Sequence, residues 1–215
     1  MNLKLVIFDM DGVLVDACEW HRVALNKSLE KLSNYTITKE DHYSTFNGLP
    51  TKIKLKKLAE MGRISFDNHA EINNLKQEKT IEIINTMCDV DHSKVELLKW
   101  LQDQGIIVAC YTNSIRKTTN LMLQKTGIID FFAKILTNQD VENSKPHPEG
   151  YNNILETFNI LPEECIIVED SPKGLEAAYA SGCFVMKVVN PSEVIKENIR
   201  SYINENFNTN GRSRQ

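Results

Sequence analysis

Near its amino terminus the sequence reads FDMDG, with Asp9 and Asp11 two residues apart at the end of the apolar run LKLVIF (3–8). Ionised aspartates beside buried chain are costly unless they are paired, hydrogen-bonded or metal-bound. On an extended strand residues i and i+2 project to the same side, so both carboxylates can face one point beyond its carboxyl end. Two such groups repel unless a proton or cation stands between them, which suits a hard metal such as Mg²⁺. Gly12 permits a sharp bend. Taken alone, the motif equally fits a strand running into an Asp-Gly turn.

Three further pieces carry compatible chemistry. In ACYTNS, Thr112 ends an apolar run, and Asn113 and Ser114 stand at a helix start, where hydroxyl and N–H donors can hold an anion or simply cap the helix. In SKPHPEG, Lys145 precedes Pro146 in a loop that can aim a fixed cation inward, or leave it solvated. In IIVEDSPKG a second apolar run delivers two acids, Glu169 and Asp170, as site residues or as a strand-end cap. Acids, a hydroxyl and a lysine at successive strand ends are what phosphoryl transfer around Mg²⁺ requires.

These positions depend on strands. LKLVIF (3–8), IIVACYT (106–112), CIIVED (165–170) and CFVMKVV (183–189) are short, rich in β-branched residues and barely alternating, as expected of a parallel sheet covered on both faces; AKILTN (133–138) is a weaker fifth. Helical stretches separate them: one from near Ser93 to Gly105, one capped by Asn113 or Ser114 and ending at Gly127, one from Ser171 and Pro172 to Gly182. The order predicts an α/β fold with a doubly wound, mostly parallel sheet. Residues 16–89 are too many for one crossover, and they predict a helical cap inserted after strand one. Asp16 and Glu19 form a capping-box pattern at its start, with Trp20, Val23, Leu25 and Leu29 as apolar contacts. The core is then 1–15 and 90–215, with a polar, frayed tail over 208–215.

Bulk properties exclude several classes. A net charge of −4 provides no basic footprint for nucleic acid or membrane surfaces. No apolar run approaches the ~20 residues of a membrane span, and Asp9 and Asp11 interrupt any signal-peptide pattern, so the expectation is a cytoplasmic protein, read as a monomer. The five cysteines show no CxxC, which leaves zinc, redox and disulfide frameworks unsupported; Cys110 and Cys165 read as buried, inert thiols.

Taken together, FDMDGVLVD, YTNS, KPHP and IVEDSPKGLEAAYASG resemble the four motifs of the haloacid dehalogenase superfamily, over nearly the whole chain. The long insert resembles the α-helical cap that this family shares between β-phosphoglucomutase and small-metabolite phosphatases. The resemblance implies a Rossmann-like core with Asp9 as nucleophile and Asp11 as general acid and then base. It implies Mg²⁺ held by Asp9, Asp170 and the Asp11 carbonyl, with Glu169 acting through water. Thr112 and Lys145 would hold phosphoryl oxygens, assisted by Asn113. The acid at Asp11 favours phosphate chemistry over dehalogenation.

In the cap, His21 matches a histidine often directed at the active site, its other reading being a helix-surface residue, and Gly48 lies in the substrate-specificity loop. The mutase pattern has an arginine three residues after that glycine, where this chain has Thr51, and a threonine where it has Ala17. Lys52 or Lys76 remain candidates for a distal phosphate, although Lys76 within NNLKQEK also reads as a solvated face. The expected activity is Mg²⁺-dependent hydrolysis of a small phosphorylated metabolite, such as a sugar phosphate, through an aspartyl-phosphate. The alternatives are a β-phosphoglucomutase-like mutase and, more remotely, a phospho-receiver signalling domain.

Overall fold

A computed structural model describes residues 2–207; the expected frayed tail, 208–215, lies outside the described residues. Five parallel strands form one sheet: β1 (Leu5–Phe8), β2 (Ile107–Tyr111), β3 (Lys134–Leu136), β4 (Cys165–Glu169) and β5 (Phe184–Lys187), in the order β3-β2-β1-β4-β5. β1 lies at the centre, with Phe8 opposite Cys110 on one side and Val168 on the other. The chain winds outward first through β2 and β3 and then through β4 and β5. The switch therefore falls at β1 and β4, where open α/β sheets leave a crevice at the strands' carboxyl ends.

Alternation along the strands supplies both faces. Val6, Phe8, Ile166 and Val168 pack under the helices α5 (His92–Asp103), α6 (Arg116–Lys125) and α9 (Lys196–Asn206). Leu5, Ile7, Ala109 and Ile167 pack under α7 (Glu149–Phe158) and α8 (Pro172–Ala180). With both faces covered, the strands carry apolar residues at nearly every position.

Between β1 and α5 the chain forms α1 (Cys18–Ser33), a single turn α2 (Lys39–Asp41), a π-helical turn over His42–Phe46, α3 (Thr51–Glu60) and α4 (His69–Met87). Leu25, Leu29, Phe46, Leu55, Leu58 and Ile72 give this insert its own apolar cluster. Its roots reach into the other core: Ile84 and Cys88 belong to that core, and Trp20 packs against it.

Helix ends differ from expectation at two places. α1 has Ala17 at its N-cap with no side-chain cap bond, and no Asp16–Glu19 capping box forms; Glu19 instead accepts from Arg22 Nε at 2.9 Å. Neither Asn113 nor Ser114 caps α6, whose N-cap is Ile115. Both side chains are drawn into the crevice, and the first helical N–H, that of Arg116, donates to Gln139 Oε1 instead. α5 begins at an Asp91 cap that accepts from the N–H groups of Ser93 and Lys94, and α8 begins as expected on Ser171.

Candidate active site

Asp9 follows β1 directly, its N–H bonded to Val168 O. The turn after it brings the chain hard against β4's end. Gly12 has φ +95°, and a Cβ there would sit 2.3 Å from Asp170 Oδ2. Only glycine fits that place on both counts.

The first cluster surrounds Lys145, which is 3 % exposed. Its Nζ donates to Asp9 Oδ1 (2.6 Å), Glu169 Oε2 (2.7 Å) and the carbonyl of Tyr111 (2.9 Å). The Tyr111 and Tyr151 rings flank the ammonium, and Tyr151 Oη donates to Glu169 Oε2 at 2.9 Å. Glu169 Oε1 accepts from the N–H groups of Asp170 and Ser171 and from Ser171 Oγ. Both Glu169 oxygens are therefore engaged by protein donors, whereas among the described residues no donor is bonded to Asp9 Oδ2.

Carboxylate oxygens of Asp9, Glu169 and Asp170 lie within 4.8 Å of one another. One ammonium does not balance three clustered acids, two of them buried and Asp170 partly so. Burial first, then repulsion from Glu169, Asp170 and Asp11, pushes the Asp9 carboxyl well above its usual range against the pull of Lys145. Burial and Glu169 likewise raise Asp170 to about 7. Asp170 Oδ1 is buried without a hydrogen-bond partner. An orphaned carboxylate oxygen amid crowded acids is the donor set of a hard divalent cation, so these residues fit Mg²⁺.

The second cluster surrounds Asp11. Its Oδ2 accepts from Ser114 Oγ (2.6 Å) and Thr112 Oγ1 (3.2 Å), and its Oδ1 lies 2.9 Å from His21 Nε2. The other ring nitrogen, Nδ1, lies 3.1 Å from Lys76 Nζ. Burial would raise Asp11, but the charge and hydrogen bond of His21, the Ser114 bond and the Lys76 charge bring it to about 2. The His21 imidazole is itself lowered, because burial and Lys76 outweigh Asp11. Asp11 is thus an ionised carboxylate beside, but separate from, the Lys145 cluster.

Asn113 fastens the insert to the sheet. Its Nδ2 donates to Gly48 O (2.7 Å) and to Lys145 O (3.2 Å), and its Oδ1 accepts from the Lys145 N–H. Gly48 (φ +75°) packs on the loop after β4, where a Cβ would lie 3.0 Å from Ser171 Oγ. The cavity between insert and sheet has a volume of about 670 Å³. Asp9, Asp11, Thr112 and Lys145 line its floor, and His21, Gly48, Lys54 and Lys76 line its roof.

The structure brings together every residue singled out in the sequence, with two revisions. Lys76 is not on a solvated face: it is 6 % exposed. It follows Ile72 by four residues and precedes Thr80 and Ile84 at the same interval, all buried on one stripe of α4. Lys52 reaches the cavity rim but is exposed; Lys54, which sequence reasoning passed over, is buried one turn before Leu58. Its i, i+4 spacing to that leucine was the available signal. Ser114, taken for a cap, is instead the shortest contact to Asp11, and Tyr151 had no signal beyond its helix.

The chain matches the family described as haloacid dehalogenase-like hydrolase over residues 6–188. It is 28% identical to the phosphorylated carbohydrates phosphatase of Thermotoga maritima over 181 residues, 84% of this chain and 82% of that one. It is also 28% identical to the pyrophosphatase PpaX of Bacillus cereus over 192 residues, 85% of this chain and 81% of that one. The fold resembles the crystal structure of β-phosphoglucomutase from Clostridium difficile with a TM-score of 0.81 at 23% identity, covering 94% of this chain and 98% of that one.

Proposed function

The chain belongs to the haloacid dehalogenase-like hydrolases, and on that footing we propose that it is a Mg²⁺-dependent phosphatase of a small phosphorylated metabolite, a sugar phosphate being the first candidate. The observation that carries this reading is the Asp11 carboxylate, held by His21, Ser114 and Thr112 over the cavity into which Asp9 opens. The relatives named for phosphorylated carbohydrates and pyrophosphate support the substrate class.

Asp9, through its unbonded Oδ2, attacks phosphorus in line and forms an aspartyl-phosphate as the alkoxide leaves. Asp11 supplies the proton to that alkoxide. The free carboxyl is ionised, with its pKa about 2; an incoming phosphate dianion beside it raises its proton affinity, so Asp11 takes up a proton from solvent as substrate binds and passes that proton to the alkoxide. After the alcohol departs, Asp11 takes a proton from the water that attacks the phosphoryl group. Lys145 holds Asp9 in place and offsets negative charge on the phosphoryl oxygens, with Thr112 and the Asn113 N–H beside it. Asp9, Asp170 and the Asp11 carbonyl would hold Mg²⁺, with Glu169 behind them. The metal would supply charge neutralisation at the phosphoryl oxygens. His21, Gly48, Lys52 and Lys76 would bind or orient the rest of the substrate.

A phosphate-release screen over hexose phosphates, phosphoglycolate and pyrophosphate, with Mg²⁺ or EDTA, tests the proposal. Release that EDTA abolishes and Mg²⁺ restores is expected. Isomerisation of a hexose phosphate without net release would favour a mutase, and no turnover of any kind would defeat the reading.

A further inference from the structure

The sequence carries no CxxC, yet two of its cysteines meet across the sheet. Ile166 of β4 is paired with Phe184 of the edge strand β5, so one residue earlier on each chain Cys165 stands opposite Cys183. Opposed residues on neighbouring strands have Cα atoms about 4.8 Å apart, inside the roughly 4.4–6.8 Å that a disulfide spans. Both side chains lie on the α7 and α8 face, Cys165 within that apolar cluster and Cys183 packed against it. The Cys165 thiol donates to the Cys183 sulfur, and the Ser181 hydroxyl is a second donor to it.

The two sulfurs have different surroundings. Cys165 is 0 % exposed, whereas Cys183 is half-buried and within reach of small reagents. Burial and the bond to Cys183 hold the Cys165 thiol well above its ordinary pKa, so it keeps its proton. The hydrogen bond from Cys165 and that from Ser181 bring Cys183 below its ordinary value, against the effect of burial. Of the five cysteines, all among the described residues, Cys183 alone is lowered. Cys18, the other half-buried one, is pushed up by burial and by Asp170, Asp11 and Asp9, and burial raises Cys88 and Cys110. A reachable sulfur that ionises early, beside a second thiol held in place, is the arrangement of an attacking and a resolving thiol. Burial alone would leave Cys165 inert; its neighbour gives it a role.

We propose that Cys165 and Cys183 are a redox pair that a hydroperoxide converts to an intramolecular disulfide, stapling β4 to the edge strand β5. The Cys183 thiolate attacks one peroxide oxygen. The O–O bond breaks, hydroxide leaves and takes up a proton, and Cys183 becomes a sulfenic acid. The Cys165 sulfur then attacks the Cys183 sulfur: the S–S bond forms, the S–O bond breaks, and the oxygen departs as water with the Cys165 proton. The two thiols lose two electrons in all, and one hydrogen peroxide becomes two waters. The bond closes residues 166–182 into a loop, and that segment contains Glu169, Asp170 and α8. It forms at the amino end of β4, and neither cysteine lines the cavity at the carboxyl end.

No turnover is needed to check this, so its outcome is separate from that of the phosphatase reading. Native protein is treated with hydrogen peroxide, blocked with iodoacetamide and digested with trypsin without reductant; Lys173 lies between the two cysteines, so they fall on different peptides. One cross-linked pair joining Cys165 to Cys183 is expected, two hydrogens lighter than the separate thiols, and dithiothreitol should remove it. Cys165→Ala should leave Cys183 as a sulfenic acid that dimedone captures. Cys183→Ala should leave Cys165 oxidised at least about tenfold more slowly than in wild type, because a buried thiol lacks both access and thiolate. Circular dichroism checks the fold of each variant, and if either fails to fold the wild-type cross-link still decides. Wild-type Cys183 oxidised without a bond to Cys165, a bond from Cys165 to another cysteine, or a cross-link that forms only in urea would overturn the proposal. So would two thiols left intact by a peroxide dose that oxidises the urea-unfolded chain.

Discussion

Substituting Asp170→Asn should stabilise the metal-free protein while removing its response to Mg²⁺. Asp170 is raised from its ordinary value near 3.8 to about 7 by burial and by Glu169. A carboxyl whose folded pKa is raised opposes folding progressively as pH climbs between those two values, and fully above the higher one. That interval corresponds to about 4 kcal/mol at pH 8. Partial exposure and the sharing of the same repulsion with Asp9 and Glu169 reduce the usable part to about 2 kcal/mol. In EDTA the variant should therefore melt about 4–8 °C above wild type at pH 8. The gap should close as pH falls towards 4, because protonation relieves the wild type. In Mg²⁺ at about one hundred times its Kd, wild type should gain about 2.7 kcal/mol and the variant almost nothing. Differential scanning fluorimetry over pH, with EDTA or Mg²⁺, reads all of these quantities. A variant that melts below wild type in EDTA at pH 8, or that keeps the full Mg²⁺ response, would refute the reasoning that crowded acids await a cation.

Three other substitutions probe neighbouring parts. His21→Asn removes the main attraction holding Asp11 near 2; a base works only above its pKa, so the acid limb of kcat should move to higher pH by about one unit, and an unmoved limb would show that Asp11 is not the titrating base. Gly48→Ala forces a side chain into φ +75° with its Cβ 3.0 Å from Ser171 Oγ. The closed arrangement should weaken by about 1–2 kcal/mol, seen as a roughly tenfold loss in kcat/KM with little change in melting temperature; a lower melting temperature with unchanged kinetics would contradict this. Tyr151→Phe removes the buried hydroxyl donor to Glu169, and urea denaturation should show a loss of about 2 kcal/mol, whereas an unchanged midpoint would mean that the bond contributes nothing.

The strands were legible because a parallel sheet covered on both faces leaves its signature in uninterrupted β-branched runs such as Cys165–Glu169. The acids at the ends of β1 and β4, Thr112 and Lys145 were legible because each stands just beyond such a run or at a proline-marked loop. Less could be read where one side chain has two uses. Ser114 and Asn113 look like helix caps, and only the folded crevice shows that Asp11, Gly48 and Lys145 claim them. Glu19 looks like a capping-box partner, yet Arg22 one turn later captures it. Lysines interrupting an apolar stripe conceal it, so the buried ladder Ile72, Lys76, Thr80, Ile84 reads as polar surface, and Lys54 disappears among TKIKLKK. Which cations face inward was fixed by packing between α1, α3 and α4, and no local pattern encodes that.

The central claim is that Asp9 carries the phosphoryl group. On whichever substrate releases phosphate, Asp9→Asn should lower kcat by about 10⁴-fold or more while the variant keeps the wild-type circular dichroism spectrum. Borohydride added to wild type during turnover should reduce the acyl phosphate and leave homoserine in place of Asp9, detectable by peptide mass spectrometry. Folded Asp9→Asn protein that turns over within tenfold of wild type would contradict the account.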